Sequence, residues 1–568
     1  MVRYRNLIEA LEEAPAEHPF VTFWIDEDEQ ETVTFGEFRR RAGAQARMLA
    51  ASGAASGDRV IVIMPQGIAA MAVFAGAMKL GAVPAFLAYP NDKVEPAKYR
   101  SGLAGVTGNL TARLVVVDHE FPEDMLEHVS LAGEAKVIRA GSGRGDERDS
   151  PGTESSLAEN VSPDSVAFIQ HSAGTTGLQK GVALTHAAVL RQLDHLAGAL
   201  CVDAATDRIY SWLPLYHDMG LIACFMLPMV CHLPLVMQSP LEWVMMPETM
   251  LQVITEHRCT LGWMPNFAFQ FVPRRTRAER RGRYDLSSLR ALINCSEPVR
   301  TISMREFEAA FAANGLRLSA LQSSYAMAEN VFAVSQSDLA AASGPPRIYA
   351  DGKEFRGAHR IVAVAEDAPG AVCFTSSGRL LPNHRVRIVS EEEHDSGPKS
   401  VGEILIKSDC LFEGYYNRPD LTAEALVDGW YRTGDLGFLV DDQLYVVGRK
   451  KDLIIVGGEN LYPQDIEEIA GKHAAIHEGR VIAMGLYNAD LGTEEVVMVA
   501  EVESEANLDN SAEIEHEIRQ LVMTGMGVAV GTIFLKPPKW IVKSTAGKAA
   551  RSSTLEKLRR EHPEINHE

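Results

Sequence analysis

Nowhere does the sequence space two cysteines as Cys-x-x-Cys. The seven present (Cys201, Cys224, Cys231, Cys259, Cys295, Cys373 and Cys410) are odd in number and scattered. That argues against a disulfide or zinc framework and fits reduced, mostly buried thiols in a cytoplasmic protein. Positive charge is also short: the net charge is −21, which speaks against a nucleic-acid backbone as the main partner. A long apolar run is missing. The nearest approach, "IAAMAVFAGAMKLGAVPAFLAYP", is broken by Lys79, Gly81 and Pro84. It reads as a buried helix ending at Gly81 and then a strand, not as a membrane span. The opening "MVRYRNLIEALEEAPAEHPF" turns from basic to acidic with no apolar signal core. Internal repeats are absent, and so is the phosphate loop of the common nucleotide hydrolases, Gly, four residues, then Gly-Lys-Ser/Thr.

What is present is the composition of an ordinary globular protein, 46% hydrophobic and 23% charged. At 568 residues the chain exceeds one hydrophobic core, so two or more domains are expected. Short β-branched runs, "RVIVIMP", "RLVVVD", "VAFIQHS" and "LPLVMQS", alternate with alanine-rich helical segments such as "MREFEAAFAANG", predicting α/β layers around parallel strands. The polar stretch 141–156 reads as a surface excursion. From about residue 380 to 450 the texture becomes strand-rich, predicting a β-structured subdomain. Residues 451–568 alternate again, predicting a small α+β C-terminal domain behind an N-terminal domain of residues 1–450. Six arginines (274, 275, 277, 280, 281 and 283) crowd "PRRTRAERRGRYD". They form either a solvated loop or a docking site for an acidic partner or phosphorylated carrier arm.

Four segments carry chemistry. "VAFIQHSAGTTGLQKG" reads as a strand entering a glycine- and hydroxyl-rich turn, with a helix continuing in "LTHAAVLRQLDHL". Successive backbone N–H groups there can form an anion-binding nest, aided by Ser172, Thr175, Thr176, Gly177 and the cation Lys180. "WYRTGDLGFL" places Asp435 in a glycine-flanked turn, where a carboxylate can accept ribose hydroxyls. "YVVGRKKDLIIVGGENLYPQDIE" puts Arg449 at a strand end, followed by Lys451 and the Gly457–Gly458 pair. "VKSTAGKAAR" offers Lys548 beyond a small-residue loop. Each alone has a plain alternative as a turn cap, a surface ion pair or one lysine among many.

In this order and over nearly the whole chain, these motifs resemble the acyl-adenylate-forming superfamily. "SWLPLYHDMGLIACFMLP", "QSPLEWVMMPETML", "MPNFAFQF", "LINCSEPVR", "SSYAMAEN" with Ala328, and "DLIIVGGENLYPQDIE" are most similar to its fatty-acyl-AMP ligase branch and the related CoA ligases. The resemblance implies ATP-dependent activation of a carboxylic acid, with release of pyrophosphate and transfer of the acyl group to a carrier-protein thiol or to CoA. It assigns the 172–180 loop to the departing phosphates and Tyr325, Ala326, Met327, Asp435 and Arg449 to the nucleotide. Glu329 falls to Mg²⁺, Lys548 to charge between carboxylate and α-phosphate, and Lys451 to the pivot of a mobile C-terminal lid. His217, Asp218, Met264, Cys295 and Ser296 would border the acyl pocket, His217 also lying next to the adenylate.

Some positions depart from the branch. Ala173 and Gln179 replace a more frequent Ser and Pro, and Cys295-Ser296 stands where Gly-Ala is usual. Between Glu329 and Gly378 lie 48 residues (330–377), longer than an ordinary CoA ligase implies, which favours the carrier-protein route. An acyl-CoA ligase, a relative that mainly converts acyl-AMP to the thioester, and a non-catalytic nucleotide-binding module remain alternatives.

Overall fold

The computed structural model describes residues 4–90, 96–131, 133–140, 161–171, 180–390, 394–395, 397, 399–456, 459–488, 493–543 and 549–565. The expected excursion 141–156, the turn residues Ser172, Thr175, Thr176 and Gly177, the Gly457–Gly458 pair and Lys548 therefore lie outside the described residues.

The N-terminal part is layered α/β. A nine-stranded sheet has at its centre the parallel strands Leu235–Met237, Ile209–Ser211, Leu261–Met264, Ala291–Asn294 and Leu321–Ala326, with antiparallel strands at both margins. A second, four-stranded sheet is wholly parallel and contains Arg59–Ile63, Val83–Phe86 and Leu114–Val117. Strands buried on both faces read as continuous apolar runs, and these do. The run at 68–90 resolves into helix Ile68–Lys79 and strand Val83–Phe86. Lys79, at 3% exposure, is paired with Glu12 at 2.8 Å, which explains a charge inside an apolar helix.

The strand-rich texture after residue 380 corresponds to a five-stranded antiparallel sheet containing Arg385–Val389, Gly402–Lys407, Trp430–Val440 and Gln443–Arg449. The long stretch after Glu329 is structured: strands Arg347–Asp351 and Ala371–Thr375 pair antiparallel around helix Gly352–Ala358. Phe355 of that helix is 1% exposed and stacks on Tyr462, ring centroids 5.0 Å apart.

Beyond Ile454 a separate core forms from strands Ile476–Asn488, Thr493–Val502 and Val530–Lys536 with helices Pro463–Ala470 and Ser511–Met526. This smaller α+β part is tied back to the larger one at named points. Arg300 Nη1 lies 2.8 Å from Asp465 Oδ1, Gln464 Nε2 donates to Val447 O at 2.6 Å, and Asn460 Nδ2 meets His359 Nε2 at 2.9 Å. Among the described residues, no helix is long and apolar enough to cross a membrane.

Candidate active site

Several of the predicted residues lie at one end of the nine-stranded sheet. His217 follows strand Ile209–Ser211, Met264 closes Leu261–Met264, Cys295 and Ser296 follow Ala291–Asn294, and Tyr325–Ala326 end Leu321–Ala326 just before Glu329. Carboxyl ends of parallel strands are where open α/β sheets leave a crevice for ligands.

The helix expected in "LTHAAVLRQLDHL" is present as His186–Ala199, capped by Thr185 Oγ1 accepting from Ala188 N at 3.1 Å, and one strand was not foreseen: Gly181–Thr185 is buried and antiparallel to Val166–His171. The β-branched and apolar residues Val182, Ala183 and Leu184 fit a pleated, two-sided interior better than a helical turn. The 172–180 segment thus joins two antiparallel strands, and no helix dipole begins at it. One sequence expectation is corrected here as well: Asp435, expected in a glycine-flanked turn, is not in one. It belongs to strand Trp430–Val440, where Gly434 at φ +70° forms a bulge opposite Ile404. Bulges re-aim side chains, and this one presents Asp435 toward the sheet end.

Lys180 leads into Gly181–Thr185, which pairs with strand Gly414–Tyr415. That pairing brings the Lys180 ammonium to 4.6 Å from the Tyr415 ring centroid, within cation–π range. The Tyr415 hydroxyl donates to Glu329 Oε1 at 2.8 Å and stands 3.3 Å from the Tyr431 hydroxyl. Tyr325 donates to Asp435 Oδ2 at 2.6 Å, and Arg449 Nε lies 3.0 Å from Asp435 Oδ1. The last pair is built into the sheet, because Asp435 and Arg449 are direct cross-strand partners. Burial, and then the Glu329 charge, push the Tyr415 phenol far up; burial and Asp435 do the same to Tyr325. Both phenols therefore stay protonated donors. Asp435 raises the Arg449 pKa further, while burial and the Arg449 charge pull Lys451 down. Lys180 contributes to that lowering, so Lys451 shares this electropositive corner.

Glu329 sits on a shaped backbone. Val331 adopts φ +62°, ψ −56°, and Phe332 N donates to Asn330 O at 2.6 Å. This is the rare γ-turn, strained for a β-branched residue. Asn330 holds it: its amide donates to Ala333 O and meets His384 Nε2, both at 2.9 Å, while Ser408 Oγ donates to Asn330 Oδ1 at 2.6 Å. Gln192 Oε1 accepts from Phe332 N at 3.3 Å.

The second group follows strands Ile209–Ser211, Leu261–Met264 and Ala291–Asn294. His217 Nδ1 is 2.6 Å from Asp218 Oδ1, which accepts from Met219 N at 2.7 Å at the start of the π-helical segment Met219–Met226. π-helical turns cluster at functional sites. Gly220 permits that segment to press on the preceding chain, since a Cβ there would meet Pro214 O at 2.3 Å. Ser296, at φ +69°, places its Oγ 3.9 Å from Met219 Sδ, and Cys295 N donates to Met264 O at 3.1 Å. Met264 and Cys295 are fully buried.

Sequence reading missed Tyr415, Tyr431 and the Asn330 network. Tyr415 and Glu329 are 86 residues apart in the chain, and the pairing of strand Gly414–Tyr415 together with the Phe412 N bond to Glu329 O at 2.9 Å joins them. A lone Gly-Tyr-Tyr carries no local signal for that.

A metal bound to phosphates fits the Glu329 position. Glu329 is 8% exposed, with one carboxylate oxygen held by Tyr415. Mg²⁺ is commonly held by one or two carboxylates plus phosphate and water oxygens.

Comparison with known proteins finds relatives along nearly the whole chain. Residues 9–416 match the family model described as AMP-binding enzyme. The medium-chain-fatty-acid–[acyl-carrier-protein] ligase JamA of Moorena producens is 31% identical, over 87% of this chain and 85% of its own. The 4-hydroxyphenylalkanoate adenylyltransferase of Mycobacterium marinum is 28% identical, over 98% of this chain and 91% of its own. A solved structure from work on fatty acyl-adenylate ligases of E. coli and L. pneumophila superposes with a TM-score of 0.88, at 26% identity and 99% coverage of both chains.

Proposed function

The chain belongs to the AMP-binding enzyme family, and from that premise we propose that it activates a fatty or lipid-like carboxylic acid. ATP and the acid give an acyl-adenylate and pyrophosphate, and the acyl group then passes to the phosphopantetheine thiol of a carrier protein. The observation that carries this reading is the convergence of Lys180, Glu329, Asp435 and Arg449, from four separate segments, around Tyr325, Tyr415 and Tyr431.

In this reading a carboxylate oxygen attacks the α-phosphorus and the bond to the β-phosphate oxygen breaks. Two anions must meet, so the barrier is electrostatic and positional. Asp435, aimed by its bulge and gripped by Tyr325 and Arg449, accepts the ribose hydroxyls and fixes the α-phosphate in register. Lys180, with Ser172, Thr175, Thr176 and Gly177, takes the departing pyrophosphate. Glu329 holds Mg²⁺, which when bound neutralises phosphate charge. Lys548, by its place in "STAGKAAR", stabilises the forming acyl–phosphate charge. His217, oriented by Asp218, flanks the adenylate, while Met264, Cys295 and Ser296 close the acyl side. Transfer follows when the C-terminal part (451–568) pivots at Lys451, exchanging Lys548 for the thiol. The thiolate then displaces AMP, forming the thioester.

The test is pyrophosphate release across a panel of acids, followed by product analysis with CoA and with a carrier protein as acceptors. Expected are acid-dependent pyrophosphate and a carrier-bound thioester. Thioester from supplied acyl-adenylate without pyrophosphate from any acid would sink the full reaction, and thioester formed only on CoA would sink the carrier assignment. Lys548→Ala is expected to lower adenylation about 10²–10³-fold while ATP still binds; undiminished adenylation would refute its role.

A further inference from the structure

One phenol meets two opposite charges of the site. The Lys180 ammonium lies 4.6 Å from the Tyr415 ring centroid, and the hydroxyl of the same ring donates to Glu329 Oε1 at 2.8 Å. Lys180 and Glu329 make no ion pair with each other. Among the described residues, Lys180 has no carboxylate partner and the Glu329 carboxylate accepts from Tyr415 alone.

Tyr415 is itself firmly set. Its backbone pairs with Val182, two residues beyond Lys180, and Tyr415 N donates to Thr422 Oγ1 at 2.9 Å. Phe412 packs edge-on against the Tyr415 ring at 4.9 Å and against Tyr431 at 5.6 Å, while its own N–H donates to Glu329 O at 2.9 Å. The Tyr431 hydroxyl stands 3.3 Å from that of Tyr415. Since the Tyr415 proton is committed to Glu329, the Tyr431 proton serves the Tyr415 oxygen, and such a relay strengthens each bond in it. Both ends of the contact are sheltered, Tyr415 at 5% exposure and Glu329 at 8%.

Opposite charges close together in a partly desolvated site attract strongly. In direct contact Lys180 and Glu329 would cancel, leaving neither a free cation for phosphate nor a free carboxylate for a metal. Arg449, the other cation whose charge reaches Glu329, is already taken by Asp435 at 3.0 Å. A ring face holds an ammonium less tightly than a carboxylate does, so phosphate oxygens can draw Lys180 off it at little cost.

We propose that Tyr415 is a positioning residue that keeps Lys180 and Glu329 from neutralising one another. Its ring face holds the cation for the departing pyrophosphate, and its hydroxyl holds the carboxylate for Mg²⁺. This role rests on those given to Lys180 and Glu329 above and adds the group that keeps both available before ATP arrives.

The test separates the two ends of the side chain by two binding measurements. One is the Mg²⁺ concentration at which ATP raises the thermal unfolding midpoint by half its full amount, each variant being compared with its own ATP-free midpoint. The other is the Kd of pyrophosphate by calorimetry at saturating Mg²⁺. Tyr415→Phe keeps the ring and loses the hydroxyl. Its Mg²⁺ requirement should rise about tenfold, with the pyrophosphate Kd changed less than about twofold. Tyr415→Leu removes both, so Lys180 pairs with Glu329. With about one molecule in ten left unpaired, both quantities should rise about tenfold. Adding Lys180→Met to Tyr415→Leu frees Glu329 and should lower the Mg²⁺ requirement again at least about threefold, whereas Lys180→Met in the parent should change it less than about twofold. Tyr415→Leu behaving as Tyr415→Phe does overturns the proposal. So does a Mg²⁺ requirement that Lys180→Met lowers equally in both backgrounds, or in neither. If Glu329→Gln leaves the Mg²⁺ requirement of the parent unchanged, the metal role proposed above fails and the spacer with it, a result told apart because it appears with Tyr415 intact.

Discussion

At the scale of single residues, the site depends on side chains that set other side chains. Glu329 is the proposed metal ligand, but its direction is decided one residue later, where Asn330 secures the strained turn at Val331 with bonds to Ala333, His384 and Ser408. Asn330→Ala would leave the half-buried Ser408 hydroxyl and the buried His384 ring short of a partner, the buried one at about 1–3 kcal/mol. It would also free Glu329 to swing. We expect the Mg²⁺ concentration for half-maximal pyrophosphate release to rise about tenfold or more, beyond what lost stability explains. An unchanged Mg²⁺ requirement in a folded but destabilised variant would reduce Asn330 to a structural role. Asn330 was in plain view in "YAMAEN", yet its partners His384 and Ser408 come from residues more than fifty positions away along the chain. Its importance was therefore not legible beforehand, whereas Glu329 was readable from its motif.

At the scale of elements, hairpin Trp430–Arg449 shows what sequence pattern conveys and where it stops. Its second strand, Gln443–Arg449, was legible from its apolar run, with Arg449 at the strand end, whereas the first, Trp430–Val440, was read as a turn. The bulge was not legible, because Gly434 looks like any turn glycine until its partner strand is known. Gly434 has φ +70° and open space where a Cβ would go, whereas a Cβ on Gly437 would lie 2.4 Å from Tyr445 O. Gly434→Ala therefore tests conformation without a clash. It should cost about 1–2 kcal/mol and turn Asp435 away from the ribose. If Asp435 binds ground and transition states alike, the KM for ATP should rise about 5–20-fold with kcat nearly unchanged. A fall in kcat at constant KM would contradict that ribose role. The unforeseen strand after Lys180 has the same origin: "GVALT" suits either structure locally, and only its pairing with Val166–His171 and Gly414–Tyr415 decides.

At the scale of the whole molecule, layering, the β-rich middle and the α+β end were readable because hydrophobic periodicity is local, while the packing of parts was not. One consequence of that packing is pH dependence. His171 ends strand Val166–His171 and His186 opens the helix after Gly181–Thr185; they are 6% and 2% exposed. Burial pulls both down to about 4, from about 6.5 in an unfolded chain. Between those values the unfolded chain binds protons that the folded one refuses, so stability falls as pH drops from about 6.5 to 4. Each histidine contributes on the order of 3 kcal/mol to that loss. Asp285, held down at about 2 chiefly by its bonds from Ser287 and then Arg258, keeps its charge through this window and adds little to the slope. The urea midpoint should therefore decline steeply below pH 6.5. His171→Gln with His186→Gln should flatten the decline. The amide oxygen introduced at position 186 still offers an acceptor to Leu7 N, which His186 Nδ1 serves at 3.3 Å. An equally steep decline in that variant would place the acid sensitivity elsewhere. Both histidines lie on the two strands and helix that frame the 172–180 segment, so acid should loosen the phosphate end of the site first. ATP is then expected to shift the urea midpoint upward less at pH 5 than at pH 7.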